Sequence, residues 1–134
     1  MQIALVTAIS LHALAGVFWA GTTFTLARSG GSGAESLFRP QMGAATLVVL
    51  TGVYLWLQLH EGPPSMTEHV LGIGILAALI AAGVQGAIGG RALRSLRNGA
   101  ASESDARSKV ALAQRIAALL LAVTVICMVA ARYA

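Results

Sequence analysis

The sequence has few charged residues and a single cysteine. Asp, Glu, Lys and Arg make up 10% of its 134 residues, whereas a soluble domain carries about a quarter. The mean hydropathy is correspondingly high, at +0.77. These values argue against an ordinary soluble domain and predict one integral membrane domain, residues 1–134. Because Cys127 has no cysteine partner, no internal disulfide can form, and its apolar surroundings favour a small packing residue.

The motifs of common enzyme classes are also missing. The sequence contains no recognisable nucleophile–base pair, paired carboxylates or phosphate-binding loop. Gly72-Ile73-Gly74 lies within an apolar run, which is typical of helix packing rather than nucleotide binding. Both an enzymatic and a non-catalytic role therefore stay open.

What the sequence does contain is four long apolar runs. A helix needs about 20 apolar residues to cross a bilayer, and we predict helices at about 2–27, 41–60, 68–97 and 104–132. Pro40 is expected in the first turn of the second helix. The first run is too long for the apolar core of a signal peptide, so we expect it to be retained. Short loops between the spans predict an all-α, antiparallel up-down bundle of four transmembrane helices.

The basic residues lie almost entirely on one side of the predicted bundle. Of the nine Lys and Arg residues, only Arg132 falls on the side of the termini. Basic residues concentrate in cytoplasmic loops. We therefore expect a multi-pass protein of the bacterial inner membrane with both termini in the periplasm. The basic clusters favour contact with anionic lipid of the bilayer over nucleic acid.

His12 is the most informative residue of the first span. It lies near the middle of a run, Met1 to Ala27, that has no Asp, Glu, Lys or Arg. An ionisable side chain at that depth usually faces a protein interior, a cavity or a bound group. At helical spacing His12 shares a face with Gly16 and Trp19 among small residues, which leave room for a flat ligand or let another helix approach closely. Haem ligation and a histidine hydrogen-bonded to a neighbouring helix are both consistent with this pattern.

A second group of candidate ligands lies in the loop between the second and third spans. His60, Met66 and His69 fall within ten residues of one another. Imidazole and thioether groups are ligands for copper, but the spacing matches no standard zinc signature. The alternative is an interfacial hairpin in which Glu68 stabilises the start of a helix.

Two further features predict contacts between helices. Gln85 and Gln114 are strongly polar side chains in the third and fourth spans, and both can hydrogen-bond across helices. Ala82, Gly86 and Gly90 recur every four residues. Such a stripe is typical of close helix packing, either within the bundle or in a homodimer.

Three short stretches form a pattern: His12-(six residues)-Trp19-Ala20-Gly21, then Leu37-Phe38-Arg39-Pro40-Gln41-Met42 continuing to Thr46 and Gly52, and finally Val84-Gln85-Gly86-Ala87-Ile88-Gly89-Gly90-Arg91. Together they resemble the HemJ/CopD-like family of small bacterial membrane proteins. That family includes HemJ-type protoporphyrinogen oxidases and copper-resistance membrane proteins. The resemblance covers about residues 5–95.

The resemblance implies a haem ligand and a redox activity. HemJ-type proteins are implied to bind b-type haem and to oxidise protoporphyrinogen IX, and their first-helix histidine matches His12. The family's third helix has a lysine near its start and a histidine near its end. Here the start reads His69-Val70-Leu71-Gly72, and Gln85 stands where that histidine would be.

Three hypotheses follow from the sequence. In the first, the protein binds haem b or a porphyrin at His12, Gly16, Trp19 and Gln85 and has a redox or porphyrin-handling role. In the second, the loop ligands His60, Met66 and His69 bind copper or another metal. In the third, the chain is a non-catalytic membrane subunit or homodimer that packs through the stripe of small residues.

Overall fold

The computed structural model describes residues 2–134, which form helices joined by short connections. The helices are α1 (Gln2–Arg28), α2 (Ala34–Leu59), α3 (Met66–Val84), α4 (Gly90–Arg97) and α5 (Glu103–Ala131). A π-helical turn, Gln85–Gly89, joins α3 to α4 in one continuous rod. Four helical rods are thus long and apolar enough to cross a membrane. The predicted all-α four-helix bundle of a multi-pass membrane protein is confirmed.

The start of α2 differs from the sequence prediction. The helix begins at Ala34 rather than near 41, so Pro40 lies inside the helix and not in its first turn. The added turns carry Leu37 and Phe38, which pack with Ala34 against a buried cluster at this end of the bundle. This apolar burial offsets the cost of an interior proline, and Pro40 is itself exposed.

Alanine dominates the centre of the bundle. The main buried cluster contains Ala15, Ala45, Ala81 and Ala117, with Trp19 as its largest side chain. Small side chains let helix backbones approach closely, which is how membrane helices gain van der Waals contact in the absence of a strong hydrophobic drive. Trp19 is 2% exposed and fills the space that the alanines leave.

The four rods do not pack equally against one another. The close pairs are α1 with α2, α1 with α5, and α3 with α5. By contrast, α2 and α3 meet at only a few points although they are consecutive in the chain. The bundle therefore has one loose seam, between α2 and the α3–α4 rod.

The close crossing of α3 and α5 depends on a glycine. A Cβ atom added at Gly74 would lie 2.9 Å from Cβ of Cys127 and 3.3 Å from the carbonyl oxygen of Thr124. The Thr124 hydroxyl donates a hydrogen bond to the Gly74 carbonyl at 2.9 Å. Cys127 is thus a packing residue at a helix crossing, as its apolar context predicts.

The π-helical turn keeps one face of the third rod directed inward. Its buried residues Ala81, Gln85, Gly89 and Leu93 recur every four residues. Residues four apart drift around an α-helix, which has 3.6 residues per turn. The wider π turn compensates for this drift and keeps Gln85 in the core.

Candidate functional site

We call the end of the bundle that carries the 29–33 and 98–102 connections the basic end. The opposite end, with the 60–65 connection, is the histidine end. Two groups of polar side chains lie between these ends: His12 with its neighbours on α2, and a buried cluster of glutamines. A third group, His60, Met66 and His69, lies at the histidine end, in the connection and the first turn of α3.

His12 packs against α2 at a glycine. A Cβ atom added at Gly52 would lie 3.2 Å from Cε1 of the imidazole, so a larger residue at this position would displace the ring. Nδ1 of His12 lies 2.9 Å from the hydroxyl oxygen of Thr51. The α1–α2 contact therefore fixes both the position and the rotation of the ring.

The surroundings of Thr51 assign the proton on His12. The Thr51 hydroxyl lies 2.7 Å from the carbonyl oxygen of Leu47, in the previous turn of α2, and its single hydrogen is donated there. The hydroxyl oxygen is then an acceptor, so Nδ1–H of His12 donates to it. The neutral imidazole consequently carries its free lone pair on Nε2.

Nε2 has no partner within the bundle. Among the side-chain hydrogen bonds of residues 2–134, His12 takes part in one, and that bond is made by Nδ1. The only buried polar side-chain atom without a partner in that range is Nδ1 of His60, so Nε2 of His12 is accessible from outside. The residue one turn further along, Gly16, is half-buried. A Cβ added there would meet no atom within 4 Å.

The second group is a glutamine cluster, defined by Trp19, Thr23, Gln41, Gln85 and Gln114. It takes at least one side chain from each of the four rods, and every member is at most 2% exposed. Gln41 and Gln114 exchange a reciprocal pair of amide hydrogen bonds at 3.0 and 2.9 Å. The cluster thus connects all four spans at one level of the bundle.

Gln85 is the centre of the glutamine cluster. Its Oε1 accepts a hydrogen bond from Nε1 of Trp19 at 2.7 Å. Its Nε2 donates to the hydroxyl of Thr23 at 2.8 Å and to Oε1 of Gln114 at 2.9 Å. Both amide hydrogens and the amide oxygen of Gln85 are therefore engaged.

The chemistry of the glutamine cluster is that of a structural network. All five side chains are neutral, and none titrates near pH 7. Satisfied polar groups in a low-dielectric core fix the arrangement of the elements that carry them, because any other register leaves a donor or acceptor unpaired. The cluster accordingly sets the relative depth and rotation of the four spans. The prediction that Gln85 and Gln114 bond across helices is confirmed.

The structure separates the residues that the sequence grouped around a haem. Trp19 and Gln85 belong to the glutamine cluster, and Trp19 lies seven residues beyond His12, or roughly 10 Å along α1. Gly16 lies one turn from His12 on α1. The amide oxygen of Gln85 is buried and accepts the hydrogen bond from Trp19.

Of the three candidate metal ligands at the histidine end, His60 follows the last residue of α2, and Met66 and His69 lie in the first turn of α3. Met66 and His69 are exposed, whereas the His60 ring stacks on Trp56 with ring centroids 4.4 Å apart. The Glu68 carboxylate accepts hydrogen bonds from the backbone and hydroxyl groups of Ser65, which stabilise the start of α3. No group of three or more His, Cys, Asp or Glu side chains in residues 2–134 is arranged to hold a metal ion.

The stripe of small residues packs within the chain. A Cβ added at Gly86 would lie 3.5 Å from the methyl group of Met42, and one added at Gly90 would lie 3.5 Å from the ring of Phe38. Both partners belong to α2. The stripe therefore provides part of the contact between α2 and the third rod.

The sequence did not identify four residues as members of these sites. Thr51 and Gly52 position His12, while Thr23 and Gln41 complete the glutamine cluster. Gln41 could have been identified from the sequence, because it is a polar side chain inside an apolar span. Threonines are common in membrane helices because they bond their own backbone, so Thr23 and Thr51 carried no such signal.

Comparison of the chain with protein-family models, with curated proteins and with solved structures gives no significant match.

Proposed function

We propose that the protein binds haem b or a porphyrin through His12 and has a redox or porphyrin-handling role in the membrane. The observation that supports this proposal is the lone pair on Nε2. It has no hydrogen-bond partner within residues 2–134, and it lies on a helix long and apolar enough to cross a membrane. A polar atom without a hydrogen-bond partner in hydrocarbon raises the free energy of the folded protein, and a group bound at Nε2 would remove this cost.

The neighbours of His12 fit an imidazole that ligates a metal. Metal-ligating histidines usually donate their second ring N–H to an oxygen, which fixes the tautomer and the orientation of the ring. Thr51 supplies that oxygen at 2.9 Å. The open space over Gly16 leaves room along α1 for the edge of a flat ring. When bound, haem iron supplies one-electron chemistry, and the chain's own residues orient the imidazole and keep its lone pair on Nε2.

The resemblance to the HemJ/CopD-like family also supports His12 as the haem-binding residue, since the family's first-helix histidine matches it. Gln85 already bonds Trp19 and Thr23, so a further ligand to the bound group would come from outside the glutamine cluster.

The decisive experiment is an absorption spectrum of the protein purified from haem-replete cells. The wild-type protein is expected to show a Soret band, and His12→Ala is expected to lose it. His69→Ala is the matched control, because His69 is exposed and lies in the first turn of α3, at the histidine end. A thermal unfolding curve in the same detergent shows whether each variant is folded.

Two results would reject the proposal. One is a folded wild-type protein without a Soret band after expression with added haem. The other is a band of unchanged position and intensity in folded His12→Ala. A homodimer that dissociates in His12→Ala, without any Soret band, would assign Nε2 to a contact between two copies instead.

We propose that the protein lies in the bacterial inner membrane, with both termini in the periplasm. The support is the placement of Lys and Arg, of which only Arg132 lies at the histidine end. Alkaline phosphatase fused after Ala134 should be active in intact cells, because this enzyme folds only in an oxidising compartment. An inactive but stable fusion protein would indicate the opposite orientation, with the C-terminus in the cytoplasm.

A second candidate function is metal binding at the histidine end. The observation that favours it is Nδ1 of His60, which is buried and has no hydrogen-bond partner in residues 2–134. A shift of the 60–65 connection would bring this nitrogen together with Met66 and His69 around copper. Copper titration should then show binding that His60→Ala/His69→Ala abolishes and His12→Ala retains. Equal binding by the double variant would exclude this site.

A further inference from the structure

A cleft of about 480 Å³ opens at the basic end, between the first two turns of α2 and the length of α4. Apolar groups form its floor, chiefly Phe38, Leu93 and Leu96. Its rim carries three charged side chains, Arg39, Arg97 and Glu35. The cleft thus combines an apolar interior with a charged opening at the end of the membrane spans.

The loose packing of α2 against the third rod creates this cleft. The two rods meet at only a few points, and Gly90 of the third rod lines the cleft without a side chain of its own. The ring of Phe38 lies over Gly89 and Gly90, 3.3 Å from where a Cβ of Gly89 would be. The cleft therefore lies at the basic end of the seam that faces the lipid between α2 and α3.

The two arginines on the rim have no ion-pair partner. Within residues 2–134 the one salt bridge joins Glu103 to Arg107 on α5. Arg39 and Arg97 are both exposed. Glu35 is the only carboxylate on the lining, so the rim carries a net positive charge.

We propose that this cleft binds one anionic glycerophospholipid of the surrounding bilayer. Its phosphate would lie between Arg39 and Arg97, and the first segments of its acyl chains would cover Phe38 and Leu96. Guanidinium groups bind phosphate oxygens through paired, charge-assisted hydrogen bonds. Basic pockets between membrane helices at headgroup level have the chemistry that anionic lipids require.

The test compares lipid retention by native mass spectrometry of the full chain released from detergent. We expect one phosphatidylglycerol to stay bound under conditions that remove phosphatidylcholine. Arg39→Gln/Arg97→Gln should lower the retained fraction of this lipid. Loss of each arginine should weaken the affinity for the lipid about fivefold. Glu35→Gln should raise retention, because it removes the negative charge at the rim.

Arg91→Gln/Arg94→Gln is the matched control. It makes the same change in net charge at the same end of the bundle, but neither residue lines the cleft. This variant should retain the lipid like the wild-type protein. Soluble glycerol 3-phosphate, added at the same concentration as the lipid, should not be retained.

Each of three outcomes would overturn the proposal. Equal retention of phosphatidylcholine would show that charge is not recognised. An equal loss in the two double variants would indicate a diffuse effect of the basic end rather than a site. Retention of glycerol 3-phosphate comparable to that of the lipid would identify a free-phosphate site instead. None of these results depends on whether His12 binds haem.

Discussion

Trp19 donates a hydrogen bond from its indole nitrogen to the amide oxygen of Gln85, at 2.7 Å. The two residues come from the first and third spans and are both buried. This bond fixes the rotation of the largest core side chain and gives Gln85 a defined acceptor role. It also links α1 to the third rod through a buried polar contact.

Removal of the indole donor should destabilise the bundle. Trp19→Phe keeps an aromatic ring but leaves Oε1 of Gln85 without a partner, at an expected cost of about 1–3 kcal/mol. Unfolding by SDS titration in a mild detergent measures the change. Trp56→Phe is the control, since Trp56 is only partly buried and stacks on His60. Equal stability of Trp19→Phe and the wild-type protein would contradict a structural role for this bond.

The reciprocal amide pair between Gln41 and Gln114 should behave as a coupled unit. Gln41→Leu leaves Nε2 of Gln114 without its acceptor, and Gln114→Leu leaves Oε1 of Gln41 without its donor, whereas the double variant removes both ends together. The double variant should therefore be more stable than additivity predicts, by about 1 kcal/mol. A double-mutant cycle on the free energy of unfolding gives this coupling. Strict additivity would mean that the two amides do not interact in the membrane-like environment.

The close crossing of α3 and α5 should be sensitive to one methyl group. Gly74→Ala places a Cβ 2.9 Å from Cβ of Cys127, and relief of this overlap should cost about 1–3 kcal/mol. Gly72→Ala, on the same helix, adds a methyl group with no atom within 4 Å. Thermal unfolding in detergent should separate the two variants clearly. Similar midpoints would show that the crossing adapts without strain.

Orientation of the imidazole should control ligand affinity, on the premise that His12 binds haem. Thr51→Val keeps the shape of the side chain but removes the acceptor for Nδ1–H. Loss of such a partner usually weakens metal binding by roughly 10–100-fold. Haem titration measures the change, and Thr46→Val is the control because that hydroxyl bonds only its own helix. An unchanged dissociation constant in Thr51→Val would show that Thr51 does not orient the ligand.

Local rules accounted for most helix boundaries, and the main exception has a clear cause. The first and fourth spans end close to the predicted positions because apolar runs and flanking charges mark them. The predicted start of α2 was wrong because Pro40 was interpreted as a first-turn residue. Its preceding turns are helical because Phe38 and Leu37 find a buried cluster that the local sequence cannot reveal.

The candidate site was predictable in its parts but not in its arrangement. His12 was identified from depth and ionisability alone. Its pairing with Thr51, and the resulting lone pair on Nε2, depend on which turn of α2 lies opposite. Gln85 was grouped with His12 by a family pattern, whereas the structure places it with Trp19 and Gln114.

The sequence by itself determined that this chain forms four membrane-spanning helices, because hydrophobic length and sparse charge act locally along the chain. It also determined which end of the bundle is basic. Only the tertiary structure decided which polar groups meet, since that depends on the rotation and depth of each rod. The π turn at Gln85–Gly89 and the glycine contacts at Gly52 and Gly74 set those rotations. They join the glutamines into one satisfied network and leave Nε2 of His12 facing outward.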